Sequence, residues 1–278
     1  MKQKILFWTV SVILTLFLAV FQRVTGPSYP VSGKFTLGGE TIKYSLPRSS
    51  DGQTHTIVSI NVNDPSAAGK LSWKRLKTAD PFTEVEMKQN GGKLEAELPI
   101  QPAAGKLEYK VQISKANEAV SLPQEGEMVI RFRDPVPPIV LIPHVILIFM
   151  AMLLSTRTGM EFFNNAPQLK KYTLWTIGFL FLGGFIFGPI MQYYAFGEFW
   201  TGVPFGFDLT DNKTLIAMIA WLIVLFRLNK SKNPKRLVLI GAVVMFLVYL
   251  IPHSVLGSEL DYSKTDMNKP AAEMPVNK

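Results

Sequence analysis

Residues 137–154 read PPIVLIPHVILIFMAMLL, and this stretch decides the class of the fold. It contains no Asp, Glu, Lys or Arg, and with the residues that follow it approaches the ~20 apolar residues that a helix needs to cross a bilayer. It therefore predicts a membrane-spanning helix at about residues 139–156.

Similar apolar runs lie on both sides of this stretch. Residues 5–21, ILFWTVSVILTLFLAVF, are uncharged and follow Lys2 and Lys4. This run is longer than the apolar part of a typical signal peptide and precedes no A-x-A-like site, so we expect an uncleaved anchor rather than a cleaved signal. Three more runs lie at about 172–192, 210–226 and 237–253, which makes five predicted spans.

The composition agrees with a membrane protein that has a soluble portion. Of 278 residues 48% are hydrophobic and 18% are charged, and the charges are unevenly spread. The chain has no cysteine. This excludes disulfides, thiolate catalysis and zinc or iron–sulfur centres that are bound by cysteine.

The basic residues predict the orientation. Loop 227–236, RLNKSKNPKR, carries five positive charges and no acid, and loop 156–171 and the N-terminus are also basic. The positive-inside rule places these segments in the cytoplasm. Residues 22–138, loop 193–209 and the C-terminal tail then face outward, in a multi-pass protein of a bacterial inner membrane. Because this asymmetry accounts for the net charge of +8, we predict no nucleic-acid partner.

Residues 30–135 carry strand signals at short spacing. KFTLGGETIKYSL (34–46) and TEVEMKQNGGKLEAELP (83–99) each read as a hairpin around a Gly-Gly turn. Seven or eight short alternating segments, separated by Gly and Pro, predict an all-β sandwich.

Residues 71–114 of this region resemble immunoglobulin-like and fibronectin-III-like extracytoplasmic modules. The matching residues are Trp73, Met87, Leu98, Pro99, Gly105, Tyr109 and Val111. The resemblance implies an immunoglobulin-like sandwich with Tyr109 as the tyrosine of a tyrosine corner. It implies a fold and no function, because this architecture serves many roles.

The predicted organisation therefore has four parts. Residues 1–22 form an N-terminal membrane anchor, and residues 23–135 an extracytoplasmic β-sandwich. Residues 136–253 form a four-helix transmembrane bundle, and residues 254–278 a flexible outward tail. The fold class is thus a membrane α-helical bundle of five spans plus an all-β immunoglobulin-like sandwich.

The tetrapeptide LIPH occurs at 141–144 and again at 250–253, so His144 and His253 each follow a proline in apolar sequence. The predicted orientation puts both at the outer face, with Pro143 in a first helical turn. They read either as interfacial residues or, if their helices are neighbours, as ligands of a transition metal or of haem b. No other ionisable residue lies in the predicted apolar cores, which argues against a proton relay or a charge-coupled transporter. His55 is expected on the surface.

The predicted outer loop 191–214 is rich in aromatic residues and glycine. It reads as an interfacial aromatic belt or as a loop that faces a planar ligand, with Trp200, Glu198 and Asp208 as candidate ligand-facing residues. With the histidines, a zinc, copper or non-haem iron site could be completed by outward acidic residues, which are Glu198, Asp208, Asp211, Glu259 and Asp261. Asp208 or Thr210 is also the predicted N-cap of the next helix.

This layout of His144, an aromatic loop and His253 resembles that of haem-handling membrane proteins of cytochrome c maturation. The loop departs from their tryptophan-rich motif, since Trp200 is its only tryptophan. The likeness concerns layout and implies no family membership. In the span before the loop, Gly184 and Gly188 form a small-xxx-small pair that predicts close helix packing.

The sequence shows no catalytic grouping, so we expect a non-enzymatic binding or accessory protein. Its partners would be membrane lipid and an extracytoplasmic protein or a membrane complex. The alternative is a haem- or metal-binding protein, redox or cofactor-handling, that uses the two histidines. A transporter is the third hypothesis.

Overall fold

The computed structural model describes residues 2–264, which divide into two compact units. The helical unit comprises residues 2–27 and 136–258. The β-unit comprises residues 28–135 and 259–264.

The helical unit is built from apolar helices at the predicted places. A π-helical segment, Leu182–Phe187, joins the third helix to the fourth, so that Leu169–Phe196 is one continuous helical rod. The helices are α1 (Lys2–Thr25), α2 (Pro138–Met160), α3 (Leu169–Phe181), α4 (Gly188–Phe196), α5 (Leu209–Leu228) and α6 (Pro234–Leu250).

Four helices are long and apolar enough to cross a membrane: Lys2–Thr25, Pro138–Phe163, Leu169–Phe196 and Leu209–Leu228. These agree with four of the five predicted spans. The fifth predicted span is helical as α6, but it has only 17 residues. Such a helix is about 25 Å long, against the ~30 Å of a bilayer core.

α2 differs from its prediction at both ends. Pro143 lies inside the helix, beyond its first turn, because α2 begins at Pro138. At the other end α2 continues to Met160 and buries Ser155 to Gly159. Arg157, which was expected in a loop, is therefore a helical residue in the interior.

Large apolar side chains fill the centre of the helical unit. The fully buried Trp221 of α5 donates from Nε1 to the sulfur of Met245 in α6, at 3.2 Å. α2 and α6 approach closely at Gly159, where an added Cβ would lie 2.6 Å from Ala242 Cβ. This close approach between small residues aligns the two helices.

The β-unit contains ten short strands. They are β1 (Val31–Leu37), β2 (Glu40–Leu46), β3 (Ser49–Ser50), β4 (Thr56–Asn61), β5 (Ala68–Arg75), β6 (Thr83–Asn90), β7 (Lys93–Leu98), β8 (Lys106–Lys115), β9 (Glu118–Leu122) and β10 (Met128–Phe132). β1 and β2 form a two-stranded hairpin, and the others form one sheet in the order β3-β10-β8-β5-β6-β7-β4, with β9 also paired to β8.

The β1–β2 hairpin nearly closes this sheet around one core, because β2 lies beside β4 and β1 beside β9. Both predicted hairpins are confirmed: Leu37 pairs with Glu40 and Asn90 with Lys93, across glycines with positive φ. The β-rich character is confirmed, and the immunoglobulin-like sandwich stays a prediction. The Tyr109 hydroxyl donates to the Pro47 carbonyl at 2.7 Å, far back in the chain, and not to a carbonyl a few residues upstream as in a tyrosine corner.

The first part of the predicted flexible tail is ordered. Leu260 N–H donates to the Ala104 carbonyl at 3.0 Å, and the buried Tyr262 hydroxyl donates to Gln101 Oε1 at 3.0 Å. Burial raises the pKa of Tyr262 to about 12. Residues 259–264 thus belong to the β-unit, and the rest of the predicted tail, 265–278, lies outside the described residues.

Candidate functional site

Polar side chains gather at both ends of α2 in the helical unit. We call the end with His144, Asp208, Asp211, Lys213 and His253 the histidine end. The end with Arg157, Glu161 and Asn164 is the arginine end. His144 and Arg157 lie 13 residues apart on one helix, a rise of about 20 Å.

His144 is bonded to the π-helical segment. Its Nδ1 lies 2.9 Å from the Gly183 carbonyl oxygen. Since a carbonyl oxygen only accepts, Nδ1 carries the proton in this bond, and in the neutral form of the ring the lone pair is on Nε2. His144 therefore provides the Gly183 carbonyl of the π-helical segment with a hydrogen-bond donor. The same bond fixes the proton on Nδ1.

The glycines of the π-helical segment allow close packing, but against different helices. A Cβ on Gly184 would lie 2.6 Å from Thr214 of α5, and one on Gly183 would lie 2.9 Å from the Ile148 nitrogen of α2. Gly188 lies beside the His144 ring, with 3.7 Å between its ideal Cβ and Cε1. Gly184 and Gly188 thus contact separate partners, because a π turn rotates residues out of the α-helical register.

His253 follows the end of α6 and lies at the same end of the helical unit as His144. The Tyr249 hydroxyl of α6 donates to the Ile148 carbonyl of α2 at 3.1 Å, and each of these residues lies four positions from a histidine in the chain. α2 and α6 are therefore neighbours here. Within residues 2–264, however, no three His, Asp or Glu side chains form a group that could hold a metal ion. The predicted completion of the site by Glu198, Asp208 or Asp211 is not formed.

The two aspartates tie the aromatic loop and the chain after α6 to the start of α5. Asp208 caps α5 by accepting from Thr210 N–H at 2.8 Å, which confirms the predicted N-cap, and it also accepts from Ser258 N–H at 2.8 Å. The buried Asp211 accepts from the N–H groups of Thr201 at 2.7 Å and Gly202 at 3.0 Å. Both carboxylates are used for architecture.

The other predicted loop residues are placed differently from one another. The Trp200 ring stacks on Phe185 with centroids 5.6 Å apart, and its Nε1 donates to the Val203 carbonyl at 3.1 Å. Glu198 is exposed. Phe205 and Phe207 project outward, with exposures of 81% and 90%. The exposed tip of the loop is thus apolar, as an interfacial belt requires.

Lys213 was not singled out from the sequence. It is buried in the first turns of α5, and its Nζ donates to the Ile251 carbonyl at 2.9 Å. The ammonium satisfies a carbonyl at the C-terminal end of α6, where the helix dipole favours a positive charge.

The arginine end contains a fully buried ion pair. Arg157 Nη1 donates to Glu161 Oε1 at 2.5 Å, and their side chains are 1% and 0% exposed. The guanidinium lies over the rings of Phe7, Trp8 and Tyr172, at 5.5, 5.4 and 4.7 Å from their centroids. α1 and α3 are thereby joined to α2.

Glu161 is satisfied from its other side as well. It accepts from the Gln168 N–H at 2.6 Å and from Asn164 Nδ2 at 3.0 Å. The i, i+4 spacing of Arg157 and Glu161 was the available signal for this pair. It was missed because the helix was expected to end at 156.

Four ionisable residues are buried in the helical unit or its connections: Arg157, Glu161, Asp211 and Lys213. Arg157 and Glu161 lie beyond the predicted span 139–156, whereas Asp211 and Lys213 lie at the beginning of the predicted span 210–226. Each of the four is nevertheless bonded within the unit, and transport stays a hypothesis without a supporting contact.

Neither a protein-family model nor a curated protein nor a solved structure matches this chain.

Proposed function

We propose that the chain is a non-enzymatic integral membrane protein whose β-unit binds an extracytoplasmic protein partner. The helical unit would span a bacterial inner membrane five times, with α6 as the short fifth span. The basic loop 227–236 would lie in the cytoplasm and the β-unit, as an immunoglobulin-like module, outside. The observation that carries the proposal is the order of the chain: the strands of the β-unit follow the apolar helix α1 and precede the apolar helix α2.

Both connections of the β-unit to the helices are short. Only residues 26–30 separate α1 from β1, and only residues 133–137 separate β10 from α2. Five residues span at most roughly 18 Å. A unit that is held at both ends in this way is suited to binding a partner at the membrane surface.

The contacts of the helical unit support a scaffolding role. Arg157, Glu161 and Asp211 bond to groups of their own unit, and Asp208 caps a helix. Groups that could otherwise perform chemistry thus hold helices and loops in place.

The outer surface of the β-unit offers one apolar contact point of note. Ile57 of β4 is 55% exposed and pairs across the strands with Glu97 of β7. Within the described residues, Tyr29 is the only other exposed large hydrophobic side chain of this unit. An isolated apolar residue among charged ones matches the mixed chemistry of a non-obligate protein interface.

Site-specific photo-cross-linking in native membranes tests this proposal. A photoreactive amino acid at position 57 of the full chain is expected to give one discrete protein adduct. The same probe at the exposed Gln112 of β8 is the matched control and should give none. Adducts of the same size from both positions, or none from position 57, would contradict the proposal.

The cofactor alternative has its own support. The fixed Nδ1–H of His144 leaves Nε2 as the ligating nitrogen, an arrangement that is common among metal-bound histidines. The contact of α6 with α2, four positions in the chain from His144 and His253, meets the condition that their helices be neighbours. Two imidazoles suit axial ligation of haem b or a shared transition metal.

An absorption spectrum and metal analysis of the detergent-purified chain test this alternative. A Soret band or stoichiometric metal that disappears in the His144→Ala/His253→Ala variant would establish it, with His55→Ala as the control. A chain without Soret band and metal would reject it.

A further inference from the structure

An apolar groove of about 130 Å³ opens between α1, α2 and α6 of the helical unit. Leu14, Met160, Leu239, Val243 and Phe246 are among the side chains that line it. The sole polar lining residue is Thr156, and its hydroxyl donates to the Met152 carbonyl at 3.1 Å. The groove therefore offers no free hydrogen-bonding side chain.

Small residues shape this groove. Gly159 and Ala242 both line it, at the place where an added Cβ on Gly159 would meet Ala242 Cβ at 2.6 Å. The larger Leu14 and Phe246 stand around them. If the groove were empty, the side chains that line it would lack van der Waals contacts. A flexible hydrocarbon chain is narrow and apolar and can supply them.

A basic residue lies on α6 one turn before the first residue of this helix that lines the groove. Arg236 is exposed and belongs to the first turn of α6. It precedes Leu239 and Val243 by three and seven residues, so all three share one face of the helix. The Arg236 side chain has no ion pair or hydrogen bond to any of residues 2–264.

The surrounding charges favour an anion. Lys230 and Lys232 lie in the adjoining connection, and the acidic Glu161 at this end is already paired with Arg157. A cation near a membrane surface attracts anionic headgroups.

We propose that this groove binds one acyl chain of an anionic phospholipid, with the phosphate of its headgroup at Arg236. The proposal rests on the membrane placement of the helical unit proposed above. It does not depend on a protein partner of the β-unit.

Native mass spectrometry of the full chain tests the site. Delipidated protein in mild detergent is incubated with dioleoyl phosphatidylglycerol or dioleoyl phosphatidylcholine, which have the same acyl chains. We expect one retained lipid and about a fivefold preference for phosphatidylglycerol, the effect of one cation near the headgroup. Inorganic phosphate should not compete, since it lacks the acyl chain.

Two variants separate the acyl chain from the headgroup. Val243→Trp should fill the groove and reduce retention of both lipids, whereas Ile240→Trp, on the exposed side of α6, should not. Arg236→Gln should abolish the preference and spare phosphatidylcholine. Lys171→Gln, at an exposed position of α3, should keep the preference, and so should Arg236→Lys. Size-exclusion elution checks that each variant is folded.

Equal retention of the two lipids by the unaltered chain would overturn the proposal, and so would unchanged retention in Val243→Trp. Competition by inorganic phosphate would show an anion site without an acyl chain and would overturn it too. None of these results bears on the cross-linking at Ile57, so a failure here is distinct from a failure of the proposed function.

Discussion

The two units treat apolar and charged side chains in opposite ways. The β-unit buries its apolar residues and leaves Tyr29 and Ile57 as the exposed large hydrophobics within its described part, whereas every helix from α1 to α6 exposes at least two. The helical unit instead buries charges such as Arg157 and Glu161, while the pair Lys70–Glu84 of the β-unit lies at the surface.

The different burial of apolar and charged side chains reflects how each unit is stabilised. In water a sheet gains stability by hiding apolar area, and charges remain hydrated. Helices that face hydrocarbon gain little by hiding apolar side chains, so packing and satisfied polar contacts distinguish their interior. Substitutions in the two units test this contrast.

The largest effect is expected for Arg157→Ala. It leaves the Glu161 carboxylate buried without its cation, which costs about 3–5 kcal/mol in the free energy of unfolding. Lys70→Ala removes only a solvent-exposed ion pair and should change the stability far less, because such pairs are weak in water. Denaturant unfolding in detergent measures both.

The double variant Arg157→Met/Glu161→Leu serves as the control, since it leaves no unpaired charge and should be much less destabilised than Arg157→Ala. Equal stability of Arg157→Ala and Lys70→Ala would remove the contrast between the units.

Replacing an exposed apolar residue by lysine tests whether that position faces hydrocarbon or water. Ile219 of α5 and Ile57 of β4 are similarly exposed, at 47% and 55%. Ile219→Lys should cost about 2.5–3.5 kcal/mol in membrane insertion, as lysine at a helix centre does. Ile57→Lys should change the stability by less than about 0.5 kcal/mol.

Carbonate extraction of membranes gives the inserted fraction of each variant. A full inserted fraction of Ile219→Lys would argue that this side of α5 faces water or another subunit rather than lipid.

A smaller effect is expected for Asp208→Ala, at the start of α5. The substitution removes the acceptor for Thr210 N–H and Ser258 N–H and should cost about 1 kcal/mol. Asp208→Asn keeps an acceptor oxygen and should lose less. Thermal unfolding in detergent compares the two, and an equal loss would show that the negative charge, not the cap, matters.

The smallest effect is expected on the pH dependence of the stability of the β-unit. Hydrogen bonding to Arg75 lowers the pKa of Asp80 below its usual value. The pair therefore stabilises the folded state above the unfolded pKa of about 3.9, and its contribution is lost as the pH falls through the lower folded pKa. Asp80→Asn should flatten this part of the acid-unfolding profile, by no more than about 1 kcal/mol. An unchanged profile would contradict the role of the pair.

Much of the fold was predictable because its signals are local. Long uncharged runs specify helices, and alternation around Gly38-Gly39 and Gly91-Gly92 specifies hairpins. The N-cap at Asp208 is likewise a contact between residues that are close in the chain. Boundaries were less accurate, since α2 continues beyond the predicted end at 156 to Met160, through the polar residues Arg157 and Thr158.

The candidate sites were only partly predictable. The sequence pointed to His144, but not to its bond with Gly183, 39 residues away. It placed Arg157 in a loop, where a charge needs no partner. Nothing local indicates that the rings of Phe7, Trp8 and Tyr172 surround this guanidinium.

The sequence by itself determined which segments are apolar helices, where the β-unit lies between them in the chain, and which connecting segments carry the basic residues. These properties follow from composition and period along the chain. Only the tertiary structure decided which polar groups meet: Arg157 with Glu161 and three rings, Asp211 with the loop backbone, and Lys213 with the Ile251 carbonyl. The physical reason is that burial makes a polar group depend on a partner, and packing in three dimensions, not distance along the chain, supplies that partner.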